Sequence, residues 1–273
     1  MASGRRFYKM SGSGNDFVFF DLEDGDPGNL ETPEEIRRIC ARGTGVGADG
    51  VVFFARTRPD AVAITYYNSD GSGGELCGNA TLCSVRLAEL LGSSSPDGVV
   101  VTTDAGEVEA RLVGGLPEID LEAVTQVTAD FPEIPPEGSE SRIGYALVGV
   151  PHIVVEVPDV AGVDVIRRGS RIRRDRSLTV GANVNFLAPV ADGSWMIRTY
   201  ERGVEGETLA CGTGAVAAAI LLTAWGKASS PVHLVTKSGR TLVVGLIQAG
   251  EEWRPSLRGS ADLVFVGELP TQA

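Results

Sequence analysis

The stretch Cys77-Gly78-Asn79-Ala80 opens a run of small and apolar residues that ends at Gly92. A second stretch, Cys211-Gly212-Thr213-Gly214, opens a similar run that ends at Gly226. The two cysteines are 211 − 77 = 134 residues apart, and the two closing glycines are 226 − 92 = 134 residues apart. Apolar runs that close on glycine are typical of helices. The pattern predicts one structural unit built twice, with a thiol at the start of a helix in each copy.

Other features repeat at almost the same distance. Thr103-Asp-Ala-Gly106 resembles Thr236-Lys-Ser-Gly239, with glycines 239 − 106 = 133 residues apart, and Tyr8–Gly12 resembles Tyr145–Gly149 at an offset of 145 − 8 = 137. Agreement of several features in order is stronger evidence for a repeat than any single residue. Two such units account for nearly all of the 273 residues, and each unit is long enough to bury its own core.

Composition narrows the classes of partner. The hydrophobic fraction of 43% is typical of a globular protein. The net charge is −12, so the chain has no basic surface for nucleic acid or for an anionic membrane. The longest apolar run, 215–222, is far too short to span a bilayer. The first residues do not resemble a signal peptide. We therefore expect a cytoplasmic protein whose four cysteines stay reduced.

The secondary-structure pattern is dominated by short strands. Alternating or β-branched segments predict eleven strands, whereas helices are predicted only for 32–41 and for the two runs after the cysteines. The run 215–225 is apolar on every side, which indicates a buried helix. The expected fold class is α/β (α+β), with two pseudo-symmetric domains that are each a strand-rich roll around a central helix. The Pro-rich segment 132–141 reads as a connection between domains.

A cysteine at a helix start points to acid–base chemistry. The unpaired N–H groups and partial positive charge of a helix N-terminus lower the pKa of a thiol and hold a carboxylate. Gly78 and Gly212 leave room for a substrate to approach. Two facing thiols, Cys77 and Cys211, could remove and return a proton on opposite faces of one carbon, which is racemase or epimerase chemistry.

Other uses of the cysteines are weaker. A metal site is not expected, because the chain has no C-x-x-C and only two histidines, and a structural disulfide does not fit the cytoplasm. Cys40 and Cys83 read as buried small apolar residues. The glycine-rich segment 43–50 lacks the spacing of a nucleotide loop, and no lysine suggests a pyridoxal Schiff base. We expect catalysis without a cofactor.

Longer motifs resemble the diaminopimelate epimerase family over nearly the whole chain. They are Lys9-Met-Ser-Gly-Ser-Gly-Asn-Asp-Phe17, Gly45–Gly50, Tyr67–Gly71 with Glu75–Asn79, Gly149-Val-Pro-His152, Asn183-Val-Asn-Phe186, and Glu201-Arg-Gly with Glu207–Gly214. The resemblance implies a diaminopimelate epimerase-like fold with domains at 1–123, which a returning strand at 262–273 joins, and at 124–261. It also implies a small amino-acid substrate, no cofactor and no metal, with a homodimer left open.

The resemblance assigns roles residue by residue. It makes Cys77 and Cys211 the acid–base pair, with His152 and Glu201 beside them to set the protonation of the thiols. The groups implied to bind substrate are Asn15, Asn68, Asn183, Glu201 and Arg202, together with the helix-start residues Gly78, Asn79, Gly212 and Thr213.

The chain departs from the family pattern at Ser11, at Val150, in the longer segment 202–207 and in the run 77–83. They affect substrate choice and leave the thiols untouched. The expected reaction is the interconversion of LL- and meso-2,6-diaminopimelate, in lysine and peptidoglycan precursor synthesis. A related cofactor-free racemase of the histidine or proline type, or a fold-related isomerase, stays open as an alternative.

Overall fold

In the computed structural model of the chain, residues 4–74 and 77–270 are described. Glu75 and Leu76 of the first cysteine motif, and the ends of the predicted domains at 1–3 and 271–273, lie outside them. The chain divides into two compact units, Met1–Ile119 with Gly259–Ala273, and Asp120–Arg258. The predicted domain bounds, 1–123 with 262–273 and 124–261, stay a prediction.

Within its described residues, the first unit has nine strands and two α-helices. The strands are β1 (Arg5–Gly12), β2 (Asn15–Asp21), β3 (Gly50–Arg58), β4 (Ala61–Asn68), β5 (Gly73–Gly74), β6 (Val99–Thr103), β7 (Gly106–Val113), β8 (Leu116–Asp120) and β18 (Ala261–Leu269), and the helices are α1 (Pro33–Cys40) and α2 (Gly78–Leu90). The pairs β2–β3 and β4–β6 are parallel. The pairs β18–β1, β1–β2, β3–β4, β4–β5, β6–β7 and β7–β8 are antiparallel.

The second unit repeats this plan. Its strands are β9 (Val127–Thr128), β10 (Arg142–Val148), β11 (Val150–Glu156), β12 (Asn183–Pro189), β13 (Trp195–Glu201), β14 (Gly206–Thr208), β15 (Val232–Val235), β16 (Thr241–Ala249) and β17 (Glu252–Arg258), and its helices are α3 (Val165–Arg173) and α4 (Gly212–Ala224). Here β11–β12 and β13–β15 are the parallel pairs. The pairs β9–β10, β10–β11, β12–β13, β13–β14, β15–β16 and β16–β17 are antiparallel. The eight pairings therefore follow one order in both units, as the sequence repeat predicts.

The two central helices begin where the cysteine motifs predict. Cys77 is the N-cap residue of α2 and Cys211 is the N-cap residue of α4. Nine consecutive residues of α4, from Gly214 to Leu222, are buried, and α2 buries Leu82 and Leu87 completely. Burial of a leucine side chain contributes about 1.5–3 kcal/mol, so these helices are anchored by their unit's core.

The outer helices differ in how well the sequence predicts them. Helix α1 follows its expected cap, since Thr32 Oγ1 accepts a hydrogen bond from Glu35 N at 3.4 Å. Helix α3 is not predicted, because its sequence is rich in arginine and has few apolar residues. It is held by packing: a Cβ on Gly169 would lie 2.5 Å from Tyr200 Cβ, so glycine allows the helix to approach β13 closely.

The interpretation of 132–141 as a connection between domains is wrong. This segment lies inside the second unit, between β9 and β10. Ile134 is buried in a core cluster of that unit, and Arg168 of α3 donates hydrogen bonds to Glu137 at 3.1 Å and to Glu140 at 2.7 Å. Proline and glycine here shape a packed loop, and such residues alone do not mark a linker.

Candidate active site

Cys77 stands at the half-buried start of a buried helix. Its backbone is extended, with φ −125° and ψ 107°, and its carbonyl accepts the first helical hydrogen bond from Thr81 N at 2.9 Å. The amides of Gly78, Asn79 and Ala80 therefore have no partner within the helix. A half-buried thiol lies beside these donors and the positive end of the helix dipole, a setting that favours negative charge.

Cys211 has nearly the same local geometry in the other unit. Its φ is −135° and its ψ is 111°, and its carbonyl accepts a hydrogen bond from Ala215 N at 3.0 Å. Its Sγ lies 3.6 Å from the hydroxyl of Thr213, the second residue of α4. The first amides of α4, including those of Gly212 and Thr213, are again free of helical partners. Each unit thus places one thiol at the N-terminus of its central helix.

The other two cysteines are unsuited to proton transfer. Cys40 and Cys83 are buried, as the sequence predicts. Burial raises the pKa of the Cys40 thiol to about 11 and raises that of Cys83 well above its ordinary value. Both stay protonated at neutral pH and behave as small core residues.

A tyrosine that the sequence analysis missed lies against Cys77. The Tyr66 hydroxyl donates to Asn68 Oδ1 at 2.9 Å and also shares a hydrogen bond with the Cys77 side chain. Burial first, and the neighbouring Cys77 second, raise the pKa of Tyr66 far above its ordinary value. Tyr66 is therefore a permanent O–H donor that links the predicted binding residue Asn68 to the thiol.

Two predicted binding residues of the first unit form a chain of amides. Asp49 Oδ2 accepts from Asn15 Nδ2 at 2.9 Å, and Asn15 Oδ1 accepts from Asn79 Nδ2 at 2.7 Å. A carboxylate can only accept, so Asp49 fixes the orientation of both amides. Asn79 is buried, and its Oδ1 has no hydrogen-bond partner among the described residues. This series of hydrogen bonds ends at Asn79 Oδ1, a buried acceptor two residues after Cys77 in the sequence.

His152 is fully buried at the start of β11. Burial, with a smaller effect from the positive charge of Arg202, lowers the pKa of its imidazole to about 3. The ring is therefore neutral at physiological pH. Its Nδ1 lies 3.3 Å from Asn185 Nδ2, and its Nε2 has no hydrogen-bond partner among residues 4–74 and 77–270.

The remaining predicted residues lie at the ends of β12 and β13. Glu201 Oε1 accepts from the Thr208 hydroxyl at 2.5 Å, and Asn183 Oδ1 accepts from Arg202 N at 2.8 Å. The Arg202 guanidinium donates to Val180 O at 3.2 Å. These contacts hold the backbone around Glu201 and Arg202 through neighbouring turns.

The predicted residues therefore form one group in each unit. Asn15, Asn68, Gly78 and Asn79 accompany Cys77, and His152, Asn183, Glu201, Arg202, Gly212 and Thr213 belong to the unit of Cys211. In the described part of the chain, no three His, Cys, Asp or Glu side chains lie close enough together to bind a metal ion. No described helix has both the length and the hydropathy that a membrane span requires.

Sequence reasoning missed Tyr66, Asp49 and Asn185. A polar signal exists for Asn185, because asparagine is uncommon inside a strand and this one lies within the apolar segment 184–188. Asp49 carries no local signal, since its partner Asn15 lies 34 positions away. Tyr66 carries none either, because a tyrosine is an ordinary residue in a strand.

The family model described as Diaminopimelate epimerase matches residues 7–119 and 144–263. The chain belongs to the diaminopimelate epimerase family. The diaminopimelate epimerase of Gemmatimonas aurantiaca is 45% identical over 273 residues, which cover 96% of this chain and 98% of that relative. The diaminopimelate epimerase of Aquifex aeolicus is 37% identical over 275 residues, which cover 96% and 97%. The resemblance stated from the sequence motifs is confirmed.

Solved structures of other proteins share the fold of this family member. A phenazine biosynthesis protein of the PhzF family from Bacillus anthracis matches with a TM-score of 0.74 at 17% identity, covering 99% of this chain and 100% of that one. A hydroxyproline epimerase from Agrobacterium vitis matches with a TM-score of 0.68 at 16% identity, covering 98% and 92%. At such identities the likeness establishes the fold alone, and the predicted fold class is confirmed.

Proposed function

We propose that the protein is an isomerase that interconverts LL-2,6-diaminopimelate and meso-2,6-diaminopimelate, with Cys77 and Cys211 as the acid–base pair. Membership of the diaminopimelate epimerase family, with relatives of that name aligned over 96% of the chain, carries this proposal. The matched N-cap positions of the two thiols support the assignment of the pair.

The proposed reaction consists of two proton transfers at one carbon. One cysteine, as thiolate, takes the proton from the substrate α-carbon, and the electron pair of the broken C–H bond passes into the adjacent carboxylate as an enolate-like charge. The second cysteine, as thiol, then gives its proton to the opposite face of the same carbon. The first cysteine ends as thiol and the second as thiolate, so the reverse reaction begins from the state that the forward reaction leaves. No oxidant or cofactor enters this balance.

Stabilisation of the enolate-like charge contributes more to the rate than the proton transfers by the two thiols. Free N–H groups at the starts of α2 and α4 are suited to bind the α-carboxylate and to hold this charge as it develops. A positioned acid or base contributes typically 10²–10⁴-fold in rate, and donors preorganised around the charge contribute the rest.

Polar side chains around the thiols provide the remaining contacts in this proposal. The unpartnered Asn79 Oδ1 is an acceptor suited to the substrate ammonium group, and Asp49 holds it in that orientation through Asn15. Arg202, Glu201 and Asn183 supply both charges and an amide for a second amino-acid head, which diaminopimelate has and proline lacks. Asn68 adds an amide beside Cys77.

Substitution of each thiol tests the pair. We expect Cys77→Ala and Cys211→Ala each to lose at least about 10²-fold in kcat with LL-diaminopimelate, because each removes one of two proton carriers. Cys83→Ala is the matched control, since it removes a buried thiol from the same helix as Cys77. Normal turnover by either active-site variant contradicts the proposal.

A substrate panel tests the choice among epimerases. Chiral analysis of reactions with diaminopimelate, histidine, proline and hydroxyproline should show inversion of diaminopimelate only. Faster inversion of one of the others would replace diaminopimelate with the alternative substrate while retaining the thiol pair.

The proposal extends to location and assembly. A mechanism that needs reduced thiols fits the cytoplasm. A homodimer is supported by β18, where Leu263, Val264, Phe265 and Val266 are 39–57% exposed and leave apolar side chains that a second copy could cover. Light scattering should give twice the 28.6 kDa mass of one chain, and Val264→Asp should shift the protein toward the monomer. A monomer for the unchanged protein contradicts this part.

A further inference from the structure

A buried asparagine in β12 holds the imidazole of His152. Asn185 is completely buried, and its side chain makes three polar contacts. Its Nδ2 lies 3.2 Å from Ile153 O and 3.3 Å from His152 Nδ1, and its Oδ1 accepts from the Thr199 hydroxyl at 2.9 Å. A buried amide with this many partners is strongly oriented, because any rotation leaves a polar group unpaired.

Chemistry fixes which end of the amide faces which partner. The carbonyl of Ile153 can only accept, so the NH₂ group of Asn185 must face it. That same NH₂ group also faces His152 Nδ1 with its second hydrogen. Nδ1 must then be the acceptor, and a neutral imidazole with an acceptor at Nδ1 has its hydrogen on Nε2.

The Nε2–H group is left without a partner. Nε2 is buried and meets no acceptor among the described residues, although an unpaired buried donor destabilises the fold. The imidazole stays neutral because its pKa is about 3. Buried donors without a partner are rare in folded proteins, so this one requires an explanation, and a catalytic role is one of those known.

We propose that Asn185 is a positioning residue, which holds His152 as the tautomer with its hydrogen on Nε2 and so provides a hydrogen-bond donor for the negative charge of the reacting substrate. This inference rests on the proposed function, in which Cys211, a residue of the same unit as His152, is one of the two proton carriers. Preorganised neutral donors stabilise developing charge without reorganisation during the reaction.

The position of Asn185 next to the second thiol supports this role. A Cβ placed on Gly214 would lie 2.3 Å from Asn185 Oδ1 and 3.2 Å from Cys211 Sγ, so the amide and the thiol flank the same glycine. The network that orients His152 is thus adjacent to a proposed proton carrier.

The tautomer can be read directly by NMR of protein labelled with ¹⁵N-histidine. The chain has only two histidines, so buried His152 is assigned by comparison with the variant His233→Gln. We expect Nδ1 unprotonated and Nε2 protonated near pH 7. The opposite tautomer overturns the proposal, and this spectrum of the unchanged protein suffices even where a variant does not fold.

Two variants separate positioning from simple support of the fold. Asn185→Asp removes the donor that faces Nδ1, so Nδ1 should become protonated, and kcat should fall roughly 10²-fold with KM changed less than threefold. Thr199→Val also breaks the buried network but leaves the Ile153 carbonyl in place, so the tautomer should not change. An unchanged tautomer in Asn185→Asp, or an equal change in Thr199→Val, contradicts the proposal.

The outcomes also separate this inference from the proposed function. Loss of the predicted tautomer with normal epimerase activity refutes only the role of Asn185. The predicted tautomer in a protein that inverts no amino acid refutes the proposed function and with it the catalytic role of His152.

Discussion

Replacement of Gly214 by alanine tests the packing around Cys211. The added Cβ would lie 2.3 Å from Asn185 Oδ1, whereas ordinary contacts of a Cβ start above 3.0 Å, so the amide or the helix start must move by about 1 Å. A displacement of that size at a catalytic centre costs about 10²-fold in rate, or about 2.7 kcal/mol of barrier. We therefore expect kcat/KM for LL-diaminopimelate to fall about 10²-fold.

The free energy of unfolding gives the second half of this test. Helix propensity alone favours alanine over glycine by about 1 kcal/mol, whereas overpacking costs about 1–3 kcal/mol. The net effect should be a destabilisation of about 0–2 kcal/mol, too small to unfold the protein. Gly206→Ala is the control, because its Cβ would meet nothing nearer than 3.9 Å. Activity of Gly214→Ala within threefold of the unchanged protein would refute the reasoning.

Two further substitutions probe the hydroxyl beside Cys77 and the buried imidazole. Tyr66→Phe removes a hydrogen bond worth about 1–1.5 kcal/mol, so kcat/KM should fall about tenfold in steady-state assays. Tyr67→Phe is the control, because Tyr67 lies on the opposite face of the strand, and its kcat/KM should stay within twofold of the unchanged protein. Equal effects of the two substitutions would contradict a role for Tyr66. The pKa of His152 is about 3 in the folded protein and about 6.5 in the unfolded chain. Between these values only the unfolded state binds the proton. The free energy of unfolding therefore decreases by about 1.4 kcal/mol for each unit by which the pH is lowered. Urea unfolding between pH 6 and 4.5 should show this slope in the unchanged protein and in His233→Gln, and a flatter one in His152→Gln; the same slope in all three would contradict the burial of a neutral imidazole.

The duplicated plan could be predicted because its signals are local. A cysteine, a glycine and an apolar run fix the start, the direction and the burial of α2 and α4 within about fifteen residues each. Their recurrence at one offset then predicts two units of the same topology. The observed strand pairings follow that prediction from β1 to β18.

Elements that depend on packing could not be predicted in this way. Helix α3 has a polar sequence and is fixed by the approach of Gly169 to Tyr200, a contact between residues 200 − 169 = 31 positions apart. The segment 132–141 has the composition of a linker, yet Ile134 enters the core. The amino-acid composition of a segment indicates its local flexibility. It does not indicate which part of the protein will pack against that segment.

In the site too, residues with a local sequence signal could be predicted, and residues fixed by packing could not. Cys77 and Cys211 stand out because they repeat, whereas the orientation of His152 depends on Asn185 and Thr199, which strand pairing places opposite each other. Register between strands decides such partners, and a single sequence does not display register.

The isotope content of the product tests the thiol pair most directly. LL-diaminopimelate is converted in D₂O and stopped at a few per cent of turnover, and the α-hydrogens of product and recovered substrate are measured by mass spectrometry and NMR. The account predicts a meso product with one solvent deuterium at the inverted carbon, while the recovered substrate retains its protium. One thiol keeps the protium that it removes, and the other thiol delivers a deuteron acquired from solvent. A product that retains the original protium would show one group working on both faces and would contradict the account.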